Sequence, residues 1–168
     1  MTMLSKNKKT IFLGQSVMYS GNAIFNTLIN VPNKKKIEFP VAEEMQMGAS
    51  IGLAMNGYIP ITCYPRFDFL ILACNQMINH LDKMRAMSQK QFKLKVIIRT
   101  SVGSKKPLDG GIQHTQNYTD MFKRVLTEIE VIYLNKPTDI FKTFKRCINP
   151  KIKKSFLIVE NGDFYNAK

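Results

Sequence analysis

Glu43 and Glu44 sit in the run Pro40-Val41-Ala42-Glu43-Glu44, after a short apolar segment and at the head of a helical pattern. A carboxylate placed there can take and give protons. It can equally be a first-turn acid favoured by the helix macrodipole. Adjacent residues on a helix do not share a face, so at most one of the two points into a site. Phe67, Asp68 and Phe69 follow a second apolar segment. Their rings can stack on a flat ligand or fill core, and Asp68 suits a helix N-cap. The third candidate is residues 103–115, GSKKPLDGGIQHT, where three glycines and a proline demand special backbone geometry. His114 in that stretch is one of two histidines and can exchange protons near neutral pH. The other, His80, lies inside a helical pattern and reads as surface or interface.

Other chemistries find no support. There is no GxSxG elbow, HExxH, CxxC or GxGxxG, and residues 103–115 contain no Walker A lysine pattern. Cys63, Cys74 and Cys147 are an odd number at unrelated spacings, which fits neither a zinc site nor a disulfide framework and points to a reducing cytoplasm. The 168 residues are 45% hydrophobic and 22% charged, a globular composition. No run of 18 apolar residues predicts a membrane helix, and the N-terminus lacks the apolar core of a signal peptide. The net charge of +13 comes from short lysine clusters at 6–9, 34–36, 105–106 and 151–154, scattered along the chain. Such charge can attract nucleic acid or an acidic partner. No zinc finger, RRM signature or basic zipper accompanies it.

The elements that must position these residues alternate. Strands are predicted over 10–14, 36–39, 59–64, 94–100, 130–134 and 155–160. Helices are predicted over 23–29, 43–55, 69–87 and 137–148, with a glycine-rich loop over 101–117. This pattern predicts an α/β fold of three layers, a mostly parallel sheet with helices on both faces. It predicts one domain over 1–168, with 1–9 as a basic N-terminal tail. Ligands on such sheets sit outside the carboxyl ends of the strands, where all three candidates fall. Within 43–55, Gly48 and Gly52 share a face, and two helical glycines imply close approach of another backbone. That backbone belongs either to the chain's own sheet or to a partner subunit.

Taken in order, these segments resemble the pyrimidine-binding domain of transketolase-like thiamine-diphosphate enzymes, and most closely the beta subunit of the thiamine-diphosphate component of 2-oxoacid dehydrogenases. The resemblance rests on Pro40, Glu43 and Gly48, then Gly57 and Pro60, then Phe67-Asp68-Phe69. It continues through Asn75-Gln76-Met77-Ile78-Asn79, then Lys83, Arg85 and Met87, the run 96–99, and Gln113-His114-Thr115-Gln116. The family spacing selects Glu43 over Glu44.

The resemblance implies that Glu43 hydrogen-bonds the ring nitrogen of the cofactor's aminopyrimidine and promotes the imino tautomer that takes the thiazolium proton. It implies that Phe69 stacks on that ring with Phe67 beside it, and that His114 faces the substrate end. It also implies a partner. The family's metal and diphosphate site carries a GDG…N motif on another domain, and Gly162-Asp163 here is followed by Phe164. Thiamine diphosphate is therefore shared with a diphosphate-domain subunit that holds Mg2+, in a hetero-oligomer such as α2β2 or around a homodimer of this chain. The further C-terminal domain of the family is missing as well, so the chain alone is expected to catalyse nothing. Gln15 and Ser16 replace acids common in the family, and Lys105 and Lys106 enter the glycine-rich loop. Two other readings compete. One is a non-catalytic interaction or regulatory module that keeps the fold; the other, nucleic-acid binding, rests on charge alone.

Overall fold

Alternate residues of the central strands face opposite sides of one sheet, and both sides are covered, so these strands read as continuous apolar runs. The computed structural model describes residues 1–105 and 109–166. In chain order the elements are α1 (Thr2–Ser5), β1 (Thr10–Gly14), α2 (Ala23–Asn26), β2 (Lys36–Glu38), α3 (Glu43–Met55), β3 (Ile59–Tyr64), α4 (Phe67–Leu70), α5 (Met84–Met87), β4 (Ile97–Val102), α6 (Thr119–Val125), β5 (Glu130–Leu134), α7 (Pro137–Cys147) and β6 (Phe156–Asn161). The six strands form one all-parallel sheet in the order β2-β1-β3-β4-β6-β5. Ile98, Leu157 and Val159 pack under Met47, Ile51, Phe67 and Phe122 on one face. Ile97, Phe156 and Ile158 pack under Leu4, Leu28 and Phe144 on the other. The predicted three-layer α/β fold is the observed one.

Four local expectations are corrected. Residues 1–9 are not a free tail: Leu4 is fully buried, and Thr10 Oγ1 donates to its carbonyl at 2.7 Å. The long helix predicted over 69–87 is instead α4, a 3-10 turn (Ile71–Ala73), a π-helix (Asn75–Leu81) and α5. The wide π turn, closed by Asp82 N–H on the Met77 carbonyl at 2.9 Å, swings Asp82 inward. There its carboxylate accepts from the backbone N–H groups of Thr127, Glu128 and Ile129. The predicted loop 101–117 starts later, because β4 runs on to Val102. Beyond it lies α6, which the prediction omits. Phe122 within it and the flanking Tyr118 and Leu126 are apolar at helical spacing, and Asn117 Oδ1 accepts from Thr119 N–H at 3.0 Å.

The scattered lysines also find an arrangement. In a parallel sheet all strands start on one edge, so Lys8 and Lys9 before β1, Lys93 and Lys95 before β4, and Lys153 before β6 meet around one groove of about 670 Å3. Burial, then the charge of Lys153, lowers the Lys95 ammonium below its ordinary value. Lys106, grouped above with Lys105, lies outside the described residues. Among the described residues no helix is long and apolar enough to cross a membrane.

Candidate functional site

Helix α3 is fastened to the carboxyl end of β3 by buried polar contacts. Gln46 Nε2 donates to Thr62 Oγ1 at 2.8 Å and to the Cys63 carbonyl at 3.1 Å. Tyr64 O–H donates to the Glu43 carbonyl at 3.2 Å. Burial raises the Tyr64 phenol well above its ordinary value, and the Glu43 charge adds to the rise. The N-cap, Ala42, offers no side-chain acceptor, so the positive end of α3 is left to the two acids of its first turn.

The two glutamates then part. Glu44 accepts from Asn75 Nδ2 at 2.6 Å and Gln76 Nε2 at 3.4 Å. The Glu43 side chain accepts no hydrogen bond from any described residue, although the residue is only 9% exposed. Glu43 lines an open depression of about 770 Å3 together with Met45, Gly48, Ala49, Leu72 and Gln76. A ring nitrogen with a hydrogen to give would meet an uncommitted acceptor there, so Glu43 fits the cofactor role the sequence implies. The glycine face does not pack on the chain's own sheet. A Cβ at Gly52 meets nothing within 4 Å, and one at Gly48 only touches Gln76 at 3.8 Å. Val41, Met45 and Leu72 beside it are largely exposed.

Phe67 and Phe69 both belong to α4 but differ in burial. Phe67 is fully buried, 5.5 Å from Phe122 in a stacked pair and 5.5 Å from Tyr118 edge-on. Its expected place against a ligand is corrected: its ring belongs to the core. Phe69 is half-buried and meets the His114 ring edge-on at 5.6 Å. Arg66, not Asp68, is the N-cap residue of α4. Asp68 instead carries a buried oxygen without a partner among the described residues.

His114 is held by close backbone packing. A Cβ at Gly103 would lie 1.9 Å from the His114 carbonyl oxygen, so only glycine fits there. His114 N–H donates to the Gly111 carbonyl at 3.0 Å, while its Nδ1 is buried without a partner among the described residues. It lines a second cavity, of about 170 Å3, with Arg66, Ser101 and Ser104. The structure thus joins Phe69 to His114, whereas the cavity lined by His114 shares no lining residue with the depression at Glu43. His80 is exposed on the π-helix. Arg66 went unnoticed in the sequence; its signal is a lone cation between a strand end and the Phe67-Asp68-Phe69 run. Among the described residues no three His, Cys, Asp or Glu side chains cluster as a metal site.

The family described as transketolase, pyrimidine binding domain, matches residues 2–166. The pyruvate dehydrogenase E1 component subunit beta of Chlorokybus atmophyticus is 25% identical over 168 residues, covering 98% of this chain and 49% of the relative. That of Mesostigma viride is 26% identical over 98% of this chain and 50% of its own length. The chain thus spans about half the length of these relatives. Two solved structures share the fold. A split-gene transketolase, described as an inactive beta4 tetramer, superposes with a TM-score of 0.70 at 20% identity over 95% of this chain and 47% of its own. Transketolase from Campylobacter jejuni subsp. jejuni NCTC 11168 superposes with a TM-score of 0.71 at 14% identity, over 94% of this chain and 23% of its own. With the parallel sheet, the free glutamate at the head of α3 and a match from residue 2 to 166, this chain belongs to the transketolase pyrimidine-binding domain family.

Proposed function

We propose that this chain is the pyrimidine-domain subunit of a split thiamine-diphosphate-dependent enzyme acting on a 2-oxoacid or a ketose. The observation that carries this reading is the contrast between neighbouring glutamates: Glu44 is committed to Asn75 and Gln76, while Glu43 keeps its carboxylate for a ligand. When bound, thiamine diphosphate supplies the electron sink for bond cleavage beside a carbonyl. Glu43 holds the ring nitrogen and moves a proton at its carboxylate. Phe69 offers an aromatic surface, and His114 holds or delivers a proton at the substrate end.

The partner is a diphosphate-domain subunit with a GDG…N motif, which holds Mg2+. The outward Gly48 and Gly52 face, with Val41, Met45 and Leu72, suits close contact with another subunit in a hetero-oligomer such as α2β2, or with a second copy of this chain within it. Relatives named as beta subunits and a fold neighbour described as split-gene support this arrangement.

The test combines the chain with a diphosphate-domain subunit, thiamine diphosphate and Mg2+. Turnover of a 2-oxoacid or ketose is expected. Glu43→Gln should lower kcat by about 10²- to 10⁴-fold, the usual worth of a positioned acid/base, and Glu44→Gln far less. Absence of turnover with the partner present, or full turnover in Glu43→Gln, overturns the reading.

A further inference from the structure

Three of the arginines, Arg85, Arg99 and Arg146, each meet a glutamate. Arg66 does not. It is half-buried, yet no ion pair or side-chain hydrogen bond among the described residues engages its guanidinium. It lines the 170 Å3 cavity at the carboxyl ends of β3 and β4, whose wall, among the described residues, holds this one cation, His114 and no carboxylate. Asp163, just outside, is occupied by Ser104 Oγ at 2.8 Å and Lys105 N–H at 3.0 Å. Gly110 keeps the two basic side chains together. A Cβ there would lie 3.3 Å from Arg66 Nη1 and 3.0 Å from His114 Cβ.

A guanidinium drawn partly out of water, with no internal carboxylate, presents a fixed fork of donors matched to a carboxylate or a phosphate. The size narrows the ligand further. Sites that take whole small molecules run to about 300–1,000 Å3, so this cavity takes a head group. We propose that it is an anion subsite in which Arg66 binds the acidic group of the substrate beside His114. That the anion belongs to a substrate rests on the function proposed above. The same fork serves the carboxylate of a 2-oxoacid or the phosphate of a sugar phosphate, and binding separates the two sources.

The experiment uses the full chain and NMR of its two histidines, with exposed His80 as internal control. Pyruvate and, separately, ribose 5-phosphate are titrated into the protein. The His114 ring signals are expected to shift saturably with one of them while His80 stays still. A response to pyruvate alone assigns a carboxylate site; a response to ribose 5-phosphate alone assigns a phosphate site. Arg66→Gln should weaken that binding by at least about tenfold, as loss of a charge-assisted pair does. Arg66→Lys should recover part of it, with His80 signals reporting an intact fold. No His114 shift with either compound, or equal affinity in Arg66→Gln, overturns the proposal. Anion binding that survives Glu43→Gln, in a chain that gives no turnover with its partner, would leave the subsite standing and remove the proposed enzyme function instead.

Discussion

The guanidinium of Arg99 on β4 and the carboxylate of Glu160 on β6 meet inside the protein through two hydrogen bonds, 2.6 and 2.8 Å long. Arg99 is 1% exposed. Arg99 Nη1 also donates to Thr27 Oγ1 at 3.1 Å, its guanidinium lies over the Phe144 ring, and Tyr165 O–H donates to Glu160. Burial pulls the Arg99 charge down, but the adjacent carboxylate more than reverses this and keeps it protonated. Removing one partner strands the other as a buried charge, so Arg99→Met or Glu160→Gln should destabilise the fold by about 3–5 kcal/mol. Replacing both with apolar residues should cost less than either single change. Urea denaturation of the two single variants and the double variant measures both statements.

Asp82 should make the fold acid-sensitive. Burial raises its carboxyl, but Lys83 and the N–H groups of Ile129, Glu128 and Thr127 outweigh this and lower it from 3.8 to about 2. A depressed carboxylate stabilises the fold fully above its unfolded value and loses that contribution as pH falls through the folded one. The loss therefore falls between about pH 4 and pH 2 and amounts to about 1–2 kcal/mol after solvent screening. Asp82→Asn should lower stability at pH 7 and flatten the profile across that window, as read by chemical denaturation at stepped pH.

The two phenylalanines of α4 should respond differently to truncation. Phe67→Ala leaves a cavity among Tyr118 and Phe122 and should cost about 3–5 kcal/mol in a thermal or urea melt. Phe69→Ala, at a half-buried ring, should cost much less stability and, in the complex proposed above, weaken binding of thiamine diphosphate, which calorimetry would measure. Equal stability losses would show that Phe69 is core as well.

The lysines at the strand starts should make stability rise with salt. Lys8, Lys9, Lys93, Lys95 and Lys153 share one groove that, among the described residues, is lined by no acid, within a chain of net charge +13. Raising NaCl from about 20 to about 300 mM shortens the screening length well below the span of such a groove. Tm should climb by a few degrees, about 1 kcal/mol for a domain of this size. A Tm that falls over this range would mean that favourable ion pairs, such as Arg146 with Glu130, dominate instead.

Much of the architecture is local enough to be read from residue order. The bounds of β1, β3, β5 and α3 fall where the apolar runs and their glycine and proline punctuation place them. The alternation of strand and helix announces a parallel sheet, and the ordered motifs around Glu43, Phe69 and His114 announce the family. What tertiary structure alone decided depends on contacts between residues far apart in sequence. The single helix expected over 69–87 breaks because Asp82 must reach N–H groups some 45 positions away. Phe67 and Phe69 are of one residue type, two positions apart, yet only the packing of α6 sends the first to the core. Glu43 and Glu44 look alike until Asn75 and Gln76 take up one of them. Lysines scattered along the chain become neighbours because parallel strands all start on the same edge. Residue order determined which groups could do chemistry; the fold determined which of them its own contacts leave uncommitted.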